Sequence, residues 1–416
     1  MRRRIVVTGM GTLAPTGVGT AAVWESVLAG HSGVGALTRF DASSYTSRIA
    51  GQVPEFDPAV SGMDRKEIRR ADPFLLYANV AAAEAMQDAG IDLEKVDRRR
   101  FGVVIASGIG GIGTLEEQGQ VLATKGPDRI SPFFVPMMIS DMAAGDVSIR
   151  YGLKGPNYAT VSACASSAHA LLDAWNLLQL GYCDIMLAGG TEAPLTPLAV
   201  GGFCAMKALS TRNDDPMRAS RPFDAERDGF VIAEGAGMVV LETLEHARAR
   251  GARIYAEFLG GGLSADAYHM TAPDPTGDGA VGSMKMALEM TGVSPEQVGY
   301  INAHGTSTRF NDAIESLAIR RLFAEHADAL NISSTKSMTG HLLGASGAVE
   351  FIFLSLAARQ GLIPPTINYE HPDPECTLNY TPNASIERAF EVGLSNSFGF
   401  GGHNVTLAVR RFDETL

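Results

Sequence analysis

Apolar residues along this chain follow two rhythms. Short, mostly apolar runs of about four to eight residues, each ended by glycine or a polar turn, suit strands covered on both faces. Such runs lie at residues 4–8, 101–106, 184–189, 254–259, 298–303 and 330–335, and a short β-prone run lies at 158–161. Other stretches show helical spacing. From Ala168, apolar residues return at Leu171, Leu172, Trp175 and Leu178, the i, i+3, i+4, i+7 pattern of one buried helix face. Asp72 and Pro73 read as the cap and first residue of a helix reaching Ala89, since proline suits the first turn, where its missing N–H is not needed. Residues 64–70 predict a short basic helix, and 347–359 a further helix. An apolar run over 235–244 merges into a helix over 242–250, which Gly251 stops. The polar stretch 210–228 reads as a loop.

After residue 250 the order restarts. The run 254–259 followed by Gly260–Gly262 echoes 5–7 followed by Gly9 and Gly11, and 298–303 echoes 101–106. Residues 330–335, a small-residue turn and the helix 347–359 echo 158–161, a turn and the helix from Ala168. The pattern predicts an α/β protein of two halves, 1–250 and 251–416. Their strand-end turns should meet at one site, as ligands bind beyond the carboxyl ends of strands in such sheets.

Composition narrows the class. With 45% hydrophobic and 19% charged residues, the chain can bury a core and is not disordered. Its 46 glycines in 416 residues exceed the usual ~7%, as many tight turns between short elements require. A net charge of −12 argues against a broad nucleic-acid surface. The four cysteines, Cys164, Cys183, Cys204 and Cys376, lack the paired spacing of a zinc or disulfide scaffold, so no metal is expected. Residues 1–4 lead into an apolar run too short for a signal peptide, and no run nears the ~18 residues of a membrane span. The expected setting is the cytoplasm, away from membranes. Two glycine fingerprints, Gly9 to Ala14 and Gly108 to Gly113, invite a dinucleotide reading. Pro15-Thr16-Gly17 interrupts the first before any helix begins, and neither precedes a strand ending in an acid at the right distance, so nicotinamide binding is not expected.

Chemistry concentrates at the strand-to-helix turn Ser162-Ala163-Cys164-Ala165-Ser166. There Cys164 would face the free N–H groups of the following helix, whose partial positive charge favours thiolate. For a lone cysteine, an inert buried thiol is the commoner outcome; taken singly, His304 and His341 would be structural, Lys336 a surface lysine and Phe400 core. Together they read otherwise. Cys164 within Ala163-Cys164-Ala165-Ser166, His304-Gly305-Thr306-Ser307-Thr308, Lys336-Ser337-Met338-Thr339-Gly340-His341 and Phe398-Gly399-Phe400-Gly401-Gly402 stand in order along nearly the whole chain.

In these motifs the chain resembles the β-ketoacyl-acyl-carrier-protein synthases, most closely the type II condensing enzymes of bacterial fatty acid synthesis. The resemblance implies a thiolase-like five-layered αβαβα fold with two pseudo-repeated halves. It implies decarboxylative condensation of an acyl chain on Cys164 with malonyl-carrier protein, giving 3-oxoacyl-carrier protein and carbon dioxide. By the same likeness His304 and His341 hold the enolate, Lys336 pairs with Glu350 to organise charge, and the N–H groups of Cys164 and Phe400 form an oxyanion hole. Thr306 and Thr308 match contacts to the pantetheine arm, Ile109 and Phe203 the acyl-pocket mouth, and Phe133 a residue supplied across a homodimer. Lys66, Arg69, Arg70 and Lys207 match the dock for acidic acyl carrier protein, whose phosphopantetheine arm is the only cofactor implied. Arg309, Asp128 and His403 depart from the family's usual residues. A thiolase would need a second cysteine near residues 398–404, a starter-unit synthase an asparagine in place of His341, and a non-elongating partner subunit no Cys164. A ketosynthase of a secondary pathway, polyketide or aryl polyene, would share the same catalytic set.

Overall fold

The strands of this computed structural model, which describes residues 2–413, line up in a palindrome. The first half contributes β1 (Ile5–Ala14), β2 (Phe101–Ala106), β3 (Asn157–Tyr158), β4 (Ile185–Glu192) and β5 (Gly235–Thr243). The second contributes β6 (Ala256–Ala265), β7 (Val298–Asn302), β8 (Asn331–Ser333), β9 (Val392–Gly399) and β10 (His403–Arg411). Their order is β8-β7-β9-β10-β6-β1-β5-β4-β2-β3, joined in the middle by antiparallel pairing of β1 with β6. On each side the outer three strands run parallel and the inner pairs antiparallel. The repeat predicted from the apolar rhythm is therefore present in the strand order itself.

Helices form three layers around the two halves of the sheet. Helices α1 (Pro73–Ala89) and α2 (Met142–Tyr151) cover the outer face of the first half. Helices α4 (Asp278–Thr291) and α5 (Arg309–Phe323) cover the second half. Between the halves lie α3 (Ser166–Gln179) and α6 (Ser346–Gln360), each touching strands of both. This explains why β1, β4 and β5 are buried along their whole length, and why α6 buries nearly every residue from Ser346 to Ala358.

β1 runs past the predicted end at residue 8 because Gly9 and Gly11 let α1 approach. A Cβ on Gly11 would lie 1.9 Å from the Ala81 carbonyl oxygen, and one on Gly9 2.3 Å from that of Ala85. The first glycine fingerprint thus serves helix–strand packing. Other expectations shift. The β-prone run 158–161 pairs only at Asn157–Tyr158, α3 starts at Ser166 rather than Ala168, and the basic helix shrinks to Arg65–Ile68. The loop 210–228 is mostly irregular as expected, yet it buries Arg221, Asp224 and Arg227. No helix among the described residues is long and apolar enough to cross a membrane.

Candidate active site

Cys164 sits in a 3-10 turn, Ala163–Ala165, that runs straight into α3. Ala163 is held at φ 51°, a region non-glycine residues occupy only when the surroundings enforce it. Ser166 supplies that enforcement: its hydroxyl donates to the Ala163 carbonyl at 2.7 Å and accepts from the Ser162 N–H at 2.8 Å. The glycine turn after β9 packs directly on this device, and a Cβ on Gly399 would lie 2.6 Å from the Ser162 carbonyl oxygen and 3.3 Å from the Cys164 nitrogen. That approach brings the backbone N–H of Phe400 to the cysteine sulfur, beside the N–H of Cys164 itself. Burial pushes the thiol up to about 11, although the Lys336 charge and these two N–H groups pull it down. Loss of solvation thus works against the thiolate that the helix N-terminus favours.

His304 follows β7 on a turn with Gly305 at φ 36° and Ser307 at φ 66°. The turn is pinned from below by Glu315 of α5, which accepts from the N–H groups of His304 and Gly305 at 2.9 and 2.8 Å and from the Asn396 amide at 3.0 Å. His341 is fixed by its Nδ1, 3.0 Å from the Ser346 hydroxyl at the start of α6. The Cys164 sulfur and a ring nitrogen of each histidine all lie within 4.8 Å of one another. Burial holds both imidazoles well below their usual range, reinforced by the Lys336 charge, so both are neutral. Lys336 Nζ donates to the His304 carbonyl at 2.7 Å and faces His304 Nδ1 at 3.5 Å. An ammonium only donates, so His304 Nδ1 is the unprotonated nitrogen and Nε2 carries the proton. Lys336 also pairs with Glu350. Both are almost wholly buried, and burial pushes the Glu350 carboxyl up against the pull of the lysine.

Cys164, His304 and His341 line one cavity of about 770 Å³, with Lys336 and Glu350 packed behind them. Ile109, Phe203, Thr306, Thr308, Lys207 and Phe400 line it too, and the Thr306 and Thr308 hydroxyls lie 2.9 Å apart. Within the single chain, Phe133 lies outside the cavity and is 38% exposed, with the Arg70 guanidinium 4.3 Å above its ring. Lys66, Arg69 and Arg70 are exposed and away from it. Arg309 opens α5 at the cavity mouth; Asp128 lies in a surface turn; the His403 ring meets His169 edge-on at 6.5 Å. Two buried carboxylates that hold the turns of the site were missed in the sequence, Glu315 and Glu192. Glu192 closes the apolar strand β4, and an acid at the end of such a run was the available signal.

Comparison with known proteins places this geometry in a family. The profile described as "Beta-ketoacyl synthase, N-terminal domain" matches residues 2–247, and "Beta-ketoacyl synthase, C-terminal domain" matches 255–370. The chain is 50% identical over 411 residues to a protein of Synechocystis sp. named 3-oxoacyl-[acyl-carrier-protein] synthase 2, covering 99% of both chains. It is also 50% identical over 410 residues to a Coxiella burnetii protein of the same name, again covering 99% of both. Among solved structures, a type II PKS ketosynthase in complex with its acyl-carrier protein and bound to the hexaketide matches at TM-score 0.92 and 39% identity, over 99% of this chain and 100% of that one. A beta-ketoacyl synthase from Burkholderia phymatum matches at TM-score 0.91 and 36% identity, over 99% and 100%.

Proposed function

The chain belongs to the β-ketoacyl synthase family, and from that premise we propose how its site divides the work. The protein is an acyltransferase that joins an acyl thioester to malonyl-acyl-carrier protein in fatty acid elongation. The observation that carries the reading is the meeting of the Cys164 sulfur with both histidine rings within 4.8 Å.

In the first step the Cys164 sulfur attacks the acyl thioester of the carrier's phosphopantetheine arm. Its proton ends on the departing pantetheine sulfur, and the acyl chain stays on Cys164. In the second, malonyl-carrier protein enters and its carbon–carbon bond to the carboxylate breaks, releasing carbon dioxide. The electron pair left behind forms an enolate, and the Nε2–H groups of His304 and His341 hold its oxygen. Neutral imidazoles suit this role, since they donate without being deprotonated. The enolate carbon attacks the Cys164 thioester, and the tetrahedral oxyanion rests on the N–H groups of Cys164 and Phe400, donors already aimed at the sulfur. Collapse breaks the carbon–sulfur bond, frees 3-oxoacyl-carrier protein and returns the cysteine, which regains a proton. Lys336 and Glu350 fix the charge and tautomer of His304.

The same reading includes the two halves 1–250 and 251–416 as units, no resident cofactor beyond the carrier's arm, and a cytoplasmic setting. It has Lys66, Arg69, Arg70 and Lys207 receive an acidic carrier protein. It also includes a homodimer, supported by exposed apolar side chains such as Val161, Leu180 and Tyr182, with Phe133 reaching the partner's pocket. A polyketide pathway is the second reading, favoured by the ketosynthase solved with a hexaketide.

Intact-protein mass after mixing with a series of acyl-carrier proteins tests the assignment. An acyl adduct on the native chain, absent from Cys164→Ala, is expected, with the fastest-loading chain length separating fatty acid from polyketide work. Equal loading of both proteins, or of neither, would sink the assignment and favour the non-elongating partner subunit.

A further inference from the structure

The steps above make no use of Glu192, yet its carboxylate lies directly behind the Gly108, Ile109 and Leu343 wall of the site. It closes β4, is fully buried, and pairs with no cation among the described residues. Four neutral donors converge on it instead: the Ser107 hydroxyl at 2.8 Å and the backbone N–H groups of Gly108 at 2.7 Å, Ile109 at 3.1 Å and Gly344 at 2.9 Å. Ser107 Oγ in turn accepts from the Gly110 N–H at 2.9 Å. Only a carboxylate offers two acceptor oxygens and no donor. The donors belong to two turns, one following β2 in the first half and one leading into α6 in the second. The turns touch there. A Cβ on Gly344 would lie 2.4 Å from the Gly108 nitrogen and 2.5 Å from Glu192 Oε2, and one on Gly108 2.8 Å from that oxygen. Each turn also presents an apolar side chain, Ile109 or Leu343, to the cavity that holds Cys164.

We propose that Glu192 is a positioning residue for the acyl chain, clamping the Ile109 turn to the Leu343 turn and so fixing the cavity wall against which the chain lies. The proposal rests on reading Cys164 as the acyl carrier. Glu192 also acts on that sulfur by charge. The charged groups facing Cys164 are Glu192, which raises the thiol, and Lys336, which lowers it, with Glu350 behind the lysine and neutral His304 and His341 alongside.

Three variants test it. Glu192→Gln replaces an accepting oxygen with a donating amide, so at least one N–H of the clamp loses its acceptor. Glu192→Asp keeps the charge and shortens the reach. Ser107→Ala removes one donor and leaves the carboxylate untouched, which keeps the test open if the first two do not fold. Acyl loading is measured against chain length by intact mass, and the pH midpoint of Cys164 alkylation by iodoacetamide with peptide mapping. For Glu192→Gln the long-to-short loading ratio should change about tenfold, the scale on which pocket shape discriminates methylenes, and the alkylation midpoint should fall. For Glu192→Asp the ratio should change while the midpoint stays. Ser107→Ala should move the ratio in the same direction by a smaller factor. Folded Gln and Ala variants with the native ratio, or a uniform loss at every chain length, would overturn the clamp. If the native protein loads no acyl chain, the functional reading fails instead. The alkylation midpoint needs no acyl donor and reports the Glu192 charge, so it separates loss of that charge from loss of the clamp.

Discussion

The turns leading into the two central helices are built alike and do different things. Ala163 and Leu343 stand at φ 51° and 47°, each opening a 3-10 turn that runs into a helix beginning on serine, Ser166 or Ser346. In the first half the serine closes on its own turn, and the position after the strained residue is Cys164. In the second half that position is Gly344, whose N–H is held by Glu192, and the serine reaches out to His341. One copy of the device aims the Cys164 thiol into the cavity. The other has given up its side chain so that the turns can touch, and uses its polar groups to hold the histidines and the cavity wall. The scaffold is common to the two turns, and the difference in chemistry lies in the residues at which they differ.

Changes at the nucleophile and its partners have the largest expected effects. Cys164→Ala should lower condensation by more than about 10³-fold, as removal of a nucleophile does, with the melting temperature near native. His304→Ala and His341→Ala should each lower condensation roughly 10²–10³-fold, the usual loss of an oxyanion donor, while acyl loading of Cys164 persists in the mass assay. Loss of loading along with condensation would contradict the division between a loading half and a decarboxylating half.

Stability separates the same regions at a smaller scale. Lys336→Ala leaves Glu350 buried without its cation, a change that destabilises by about 3–5 kcal/mol, read as a lowered denaturation midpoint. Gly344→Ala forces a Cβ against the Gly108 backbone and should destabilise by about 1–3 kcal/mol, whereas Cys164→Ala one turn away should be near neutral. Equal stability of the Gly344→Ala and Cys164→Ala proteins would refute the idea that the second turn leaves no room for a side chain at the position where the first carries Cys164. The two histidines add a pH signature. Both are held below the usual value of 6.5, so the unfolded chain binds protons that the folded one does not. Their contribution is complete above 6.5 and is lost as pH falls through it, and replacing both with glutamine should flatten that slope in denaturation curves between about pH 5 and 7.

Much of this was legible in the chain. The apolar rhythm carried the strands and their repetition because both faces of each sheet half are covered, and the four motifs carried Cys164, His304, Lys336, His341 and Phe400. What stayed hidden depends on distance in space. Glu192 accepts backbone N–H groups from turns far away in sequence and Glu315 from the turn before its own helix, and an acid that closes a strand or sits inside a helix does not name those partners. The opposing pull on the Cys164 thiol was hidden for the same reason: local sequence shows a helix N-terminus, and only the fold shows how completely the thiol leaves water. The short strand at Asn157–Tyr158 reflects another non-local fact, that the chain turns to build the cysteine loop before β pairing can extend.

The smallest predicted effect lies farthest from the chemistry, at the exposed cations Arg69 and Arg70. Exposed charges steer an encounter more than they stabilise a complex, and salt screens them. Arg69→Glu with Arg70→Glu should therefore raise KM for acyl-carrier protein by about tenfold at low ionic strength, the size expected from reversing rim charges, and leave kcat unchanged. The difference from native should shrink as salt is added. Loading from a small acyl thioester lacking the carrier protein should be unaffected, because Cys164 and its cavity are untouched. A fall in kcat with that small donor would mean that the Arg70–Phe133 contact reaches the site, and would move this surface from the docking side of the comparison to the catalytic one.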